Sequence, residues 1–412
     1  ALRFKCRYLC DMQVLVLTLL LASSQALQVM NSEQIKSQPI LALPSALELE
    51  GHLMMRNFQY VSSDGTWKCA SRSLYVAKQN ESQSAVPVCH QSHLMPTFFL
   101  IGTNKAGTTS VFNALWQSVP GLISGASWDT AGDATSTAGK TMNLDDPVRR
   151  GAGAQHAVPW SFKEKFFWSS NYSGDLDSYL GLYPACAELN EPKEQYVGFD
   201  GTAELLTKGQ APSRIHDAFQ SLRTPGARPT FLVLLRHPVE TFQSLIYMQM
   251  NQRGDSISQW SNRANASLTN AVKNIQSGRP CMLDDLQYFA PCDARLAHAA
   301  HAPMLRHWLE FFDADQFILV ATEDYHQAPT DVLVEIMHKL NLPGCVEPGS
   351  QVRDNVNERH PPLADEDPDV VNALRAFYLP YVLDLVNLLS EKRFQIVGNL
   401  TSHVKSWLDE YL

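Results

Sequence analysis

The sequence is short of positive charge. Its 33 lysines and arginines are outnumbered by 42 aspartates and glutamates, giving a formal net charge of −9. That balance argues against a general nucleic-acid binder, which needs a surplus of cations. Paired Cys-x-x-Cys spacing is missing, so the eight cysteines form no zinc pattern. His301, His307 and His338 likewise lack the ligand spacing and supporting carboxylate of a metal site. Near the start, the apolar run from Val14 to Ala22 is shorter than the roughly 20 residues of a membrane-spanning helix. These absences leave an ordinary globular composition, 45% hydrophobic and 18% charged, in 412 residues that can bury a full core.

The first 29 residues nevertheless read as a targeting segment. Arg3, Lys5 and Arg7 precede the apolar run and Ser23-Ser24-Gln25-Ala26 follows it, the layout of a secretory signal. Leu27, Val29 and Met30 extend the apolar character, so a membrane-retained signal anchor competes with a cleaved signal peptide. Either route enters the secretory pathway, and sequons at Asn80, Asn171, Asn265 and Asn399 agree with it. In an oxidising lumen, Cys281–Cys292 and Cys69–Cys89 are the expected disulfides, with six buried thiols as the alternative. Residues 30–95 show no sustained period and are rich in Ser, Gln and Asn, as in a stem leading into a domain at 96–412.

The chain is organised around Pro96 to Leu115. Phe98-Phe99-Leu100-Ile101 reads as a buried parallel strand, and Val111, Phe112, Ala114 and Leu115 have helical spacing. Between them, Gly102-Thr103-Asn104-Lys105-Ala106-Gly107-Thr108-Thr109 is a glycine-bearing turn feeding a helix N-terminus. There, orphan amides and the positive end of the dipole suit a phosphate or sulfate. A triphosphatase loop would carry its lysine directly after the second glycine, but Thr108 stands there and Lys105 lies inside the loop. A second strand-to-helix element runs from Thr230 to Met250. Phe231 to Leu235 is a continuous apolar run, Arg236 sits at its carboxyl end, and Pro238 opens a helix that carries Ser244. Gln316 to Val320 reads as a further strand, and helices are expected over Met304–Phe312, over Pro329–Leu340 and from Pro368 onward, the last with a kink at Pro380. The stretch 119–159, heavy in Gly, Ala, Ser, Thr and Asp, reads as a surface insertion.

These two elements, about 130 residues apart, resemble the nucleotide-binding motifs of the sulfotransferases that use 3′-phosphoadenylyl sulfate, especially the Golgi heparan sulfate N- and 3-O-sulfotransferases. The resemblance implies an α/β, P-loop-like three-layer fold with a central parallel sheet flanked by helices. It implies transfer of a sulfuryl group to a hydroxyl or amine of a carbohydrate, a glycan or proteoglycan acceptor, and no metal. Lys105, Ala106, Gly107, Thr108, Thr109 and Ser110 would hold the 5′-phosphosulfate, and Arg236 and Ser244 the 3′-phosphate. Arg359, in Asn357-Glu358-Arg359-His360-Pro361, falls where the family closes a loop over the nucleotide. Matching the family's paired aromatics to Phe167-Trp168 makes Glu164 the general base, whereas matching them to Phe166-Phe167 puts Lys163 there. Only the carboxylate accepts a proton near neutral pH, so Glu164 is the expected base. At Asp200-Gly201-Thr202, Gly201 stands where the family has a lysine. A kinase-like nucleotide triphosphate enzyme, or a binding protein on a degenerate sulfotransferase fold, are the competing readings.

Overall fold

Strands form where the apolar runs are continuous, because those segments are covered on both faces. The computed structural model describes residues 58–61, 66–69, 74–76, 88–119, 121–125, 163–169, 172–189, 196–222, 227–253, 259–276, 294–346 and 367–412. The targeting segment, most of the 119–159 stretch, the Cys281–Cys292 pair, Arg359 and the sequons at Asn80 and Asn171 lie outside them. Six strands make the central sheet: β1 (Pro96–Gly102), β2 (Leu122–Ser124), β3 (Val197–Asp200), β4 (Thr230–Leu235), β5 (Phe317–Ala321) and β6 (Gln395–Val397). Their spatial order is β6-β5-β4-β1-β3-β2, and every pairing is parallel.

Side chains alternate between two cores. Phe99, Ile101, Phe231, Val233, Leu235, Phe317 and Leu319 point to one. Phe98, Leu100, Leu232, Leu234, Ile318 and Val320 point to the other. This is the period-2 geometry of a pleated strand with both faces buried. The helices that cover the sheet include α1 (Thr108–Ser118), α2 (Ala211–Ser221), α3 (Pro238–Arg253), α4 (His301–Trp308), α5 (Pro329–Lys339), α6 (Pro368–Glu391) and α7 (Leu400–Tyr411). α1 and α5 supply Val111, Phe112, Leu115, Val332, Leu333 and Ile336 to the second core. The other five pack on the first. Three layers result, as expected. Prolines open α3, α5 and α6, where a missing N–H costs no helical hydrogen bond. Pro380 lies inside α6, whose buried residues include Val371, Leu374, Phe377, Val382, Leu385 and Leu389.

Two expectations change. The 119–159 stretch does not leave the fold at once: Leu122–Ser124 first adds the edge strand β2 beside β3. Cys89 pairs with Cys186, not Cys69. The Cys89–His90/His93–Leu94 hairpin brings Ser92 against Cys186, whose N–H donates to the Ser92 carbonyl at 2.6 Å. That contact decides the partner, and nearness in sequence does not. Cys345 is also disulfide-bonded, on a short strand Gly344–Val346 that pairs antiparallel with Leu74–Val76. Among the described residues, no helix is long and apolar enough to cross a membrane. The Cys89–Cys186 link closes a 97-residue separation, so Cys89→Ala with Cys186→Ala is expected to lower unfolding free energy by about 2–5 kcal/mol in a denaturant titration.

Candidate functional site

Strand order fixes where a ligand can sit. From β1 the chain runs outward to β2 and β3 on one side, whereas β4 is followed by β5 and β6 on the other. The adjacent carboxyl ends of β1 and β4 are therefore the switch point of the sheet, where connections diverge and leave a crevice. The Lys105 loop leaves β1 there and Arg236 leaves β4.

The loop is held from several directions. Thr103 donates its N–H and its hydroxyl to the Leu234 carbonyl, at 2.8 and 2.7 Å. Thr322, just past β5, donates its hydroxyl to the Ala106 carbonyl at 2.8 Å. Arg236 Nη1 donates to the Lys105 carbonyl at 3.1 Å. Lys105 and Gly107 both take positive φ, 69° and 82°, and the glycine makes the second such turn without a Cβ penalty. The first helical bond of α1 runs from Val111 N–H to the Gly107 carbonyl at 3.2 Å. The first turn of α1 thus lies at the crevice with the positive end of the helix dipole. α1 is seated on the sheet by a ring stack in which Phe199 lies 4.7 Å from both Phe98 and Phe112.

Three cations converge here. Lys105 is half-buried, and its ammonium is pushed below its ordinary pKa by burial first, then by Arg236 and Lys163. Among the described residues it meets no carboxylate. Arg236 shares its charge with Glu240, whose Oε2 accepts from Nε and Nη2, both at 3.1 Å. The carbonyl of Arg236 accepts from Nε2–H of His301, an imidazole that burial keeps neutral, with its pKa lowered to about 4. Lys163, only 3% exposed, donates from Nζ to Thr108 Oγ1 at 3.1 Å, Thr109 Oγ1 at 3.3 Å and Glu164 Oε1 at 2.9 Å.

The segment carrying Lys163 and Glu164 hangs from the turn after β3. Gly201 N–H donates to the Lys163 carbonyl at 3.0 Å, and Thr202 Oγ1 accepts from the Lys165 amide at 2.8 Å. Thr202 in turn donates its hydroxyl to Asp200 Oδ1 at 2.6 Å, and Tyr179 donates to Oδ2 at 2.7 Å. Asp200 is fully buried, and burial raises its pKa despite these bonds and the charge of Lys165. Lys165 is lowered to about 8, by burial against the opposing pull of Asp200, while its Nζ donates to the Gly125 carbonyl. No side chain fits at Gly201: a Cβ there would lie 2.4 Å from the Phe112 ring and 2.9 Å from Lys163 Cγ.

Of the residues singled out from the sequence, Lys105, Ala106, Gly107, Thr108, Thr109, Glu164 and Arg236 meet at this crevice. Ser110 follows, buried on the first turn of α1. Ser244 is buried on α3, six residues past Pro238, or ~9 Å along the axis. Lys163, which one of the two alignments had put at the catalytic position, and Thr322, which the sequence did not signal, complete the constellation. The lysine–glutamate pair had two alignments, and Thr322 acts across 216 residues.

The chain is 24% identical over 272 residues to the bifunctional heparan sulfate N-deacetylase/N-sulfotransferase of Drosophila melanogaster. The resemblance is to part of a protein named for two activities, one of them N-sulfotransfer. It covers 64% of this chain and only 21% of that protein's length. Solved structures that resemble the chain include a sulfotransferase from Alicyclobacillus acidocaldarius, at 17% identity and TM-score 0.42, covering 76% of this chain and 98% of that one. The sulfotransferase domain from the curacin biosynthetic pathway matches at 10% identity and TM-score 0.31, covering 76% of this chain and 83% of its own. No family model matches the chain.

Proposed function

We propose that the chain is a sulfotransferase that moves a sulfuryl group from 3′-phosphoadenylyl sulfate to a hydroxyl or amine of a carbohydrate acceptor in the secretory pathway. One observation carries the reading: a cation from the β1 loop and a cation from the β4 end flank one crevice at the switch point, joined by the Arg236–Lys105 carbonyl bond. Two cations brought to one crevice suit a nucleotide that carries more than one phosphate group. The Drosophila relative's name supports a glycan acceptor.

In this reading the first-turn amides of α1 and the hydroxyls of Thr108 and Thr109 hold the phosphosulfate. Arg236 takes the 3′-phosphate by charge-assisted bonds, with Ser244 and Arg359 as further contacts. Glu164 receives the acceptor's proton. The acceptor oxygen or nitrogen forms a bond to sulfur as the bond from sulfur to the bridging phosphate oxygen breaks. The electron pair goes to that oxygen, where Lys105 stabilises the growing charge. Adenosine 3′,5′-bisphosphate and the sulfated acceptor leave.

A triphosphate-using kinase would need an acidic strand end to hold magnesium. The acid at the end of β3, Asp200, already accepts from Thr202 and Tyr179 inside the core, and Thr108 stands where a triphosphatase loop carries its lysine; the second feature favours the sulfuryl-transfer reading. The deciding experiment incubates the protein with labelled donor and a panel of glycans, alongside thermal shift with adenosine 3′,5′-bisphosphate and with ATP plus magnesium. Label transfer and stabilisation by the bisphosphate alone are expected, and stabilisation by ATP plus magnesium alone would reject the reading. Arg236→Ala should weaken bisphosphate binding about 10–100-fold in calorimetry, the range for charged hydrogen bonds lost from such a site.

A further inference from the structure

Resting on that reading, we infer that Lys163 is a second donor-binding cation, which grips the 5′ end of the nucleotide. A lysine 3% exposed is costly to bury unless its charge is used. All three N–H bonds of its ammonium are taken, two by the hydroxyls of Thr108 and Thr109 and one by Glu164. Two of those acceptors are neutral, and both stand at the helix N-terminus where an anion would bind. An anionic oxygen seated there competes with the hydroxyls for the same ammonium, and a charged acceptor wins. The freed hydroxyls can then turn and donate to the anion themselves.

Charge counting agrees. Lys105, Lys163 and Arg236 bring three positive charges to the crevice, while Glu164 and Glu240 return two negative ones. Position 201, beside Lys163, cannot carry a side chain without striking Phe112 and the lysine's stem. Lys163 thus delivers, from the adjoining segment, the cation that Gly201 does not.

The test uses the full chain and its Lys163→Met and Lys163→Arg variants, with adenosine 3′,5′-bisphosphate and adenosine 3′-monophosphate as calorimetric probes. Lys163→Met should weaken the bisphosphate about 10–100-fold and the 3′-monophosphate by less than about twofold, because only the first probe has a 5′ phosphate. Lys163→Arg should restore bisphosphate affinity to within about threefold, since it keeps the charge within reach of the same hydroxyls. Equal weakening of both probes by Lys163→Met, or weakening of neither, overturns the assignment and leaves the sulfotransferase reading standing. If the methionine variant unfolds, Lys163→Gln, which keeps a donor in the pocket, is judged by the same ratio. Failure of the unaltered chain to bind either probe overturns both.

Discussion

Glutamine at position 164 is expected to lower sulfuryl transfer about 10²–10⁴-fold, the range for loss of a general base, while adenosine 3′,5′-bisphosphate affinity stays within about threefold. The amide keeps the size and hydrogen-bonding reach of the carboxylate and can still accept from Lys163, whose ammonium lies 2.9 Å from Oε1. What it loses is basicity. A radiolabel assay at saturating acceptor, paired with calorimetry, separates the two effects. Unchanged transfer would remove Glu164 from the mechanism and turn attention to Glu240, which is paired with Arg236, and to Glu323, whose Oε1 accepts from the His237 amide at 3.3 Å.

Replacing Lys105 with alanine is the second large effect, with transfer expected to fall about 10²–10³-fold, comparable to losing an electrostatic group aimed at developing charge. The physical ground is the environment of the ammonium. It is partly buried, it faces two other cations, and no described carboxylate relieves it. Such an arrangement is unfavourable until an anion arrives, so the loop favours the species with most charge near Lys105. That species is the transition state, in which charge collects on the bridging oxygen. The loss should therefore fall mainly on kcat, with a smaller change in bisphosphate affinity. Single-turnover rates checked against calorimetry distinguish this from a simple binding defect. Arginine at 105 should rescue poorly, because φ of 69° and the packed loop fix the reach of the side chain.

Much of this was legible beforehand because burial on both faces leaves a plain mark. Phe98–Ile101 and Phe231–Leu235 could hardly be anything but central strands, and Pro238, Pro329 and Pro368 marked helix starts. Short edge strands leave no such mark. Leu122–Ser124 and Gln395–Val397 are three residues each, too brief for a period to appear, and only the neighbouring strand makes them strands. The disulfide partner of Cys89 was hidden for a related reason: 97 residues separate it from Cys186, and only the fold brings them together. At the site, residue types on the two strand-to-helix turns could be read directly. The Lys163–Glu164 pair could not be assigned by alignment, since a one-residue shift exchanges the two. In the fold, Lys163 is buried and donates to the hydroxyls of Thr108 and Thr109.

The hydroxyl of Thr322 that fastens the Ala106 carbonyl lies 216 residues farther along the chain. During synthesis at about 5–20 residues per second, the nascent loop therefore waits on the order of 10–40 s before its latch leaves the ribosome. The crevice loop is begun early and finished late, and a chain cut short before β5 would hold every residue of the loop without the hydroxyl that fastens Ala106.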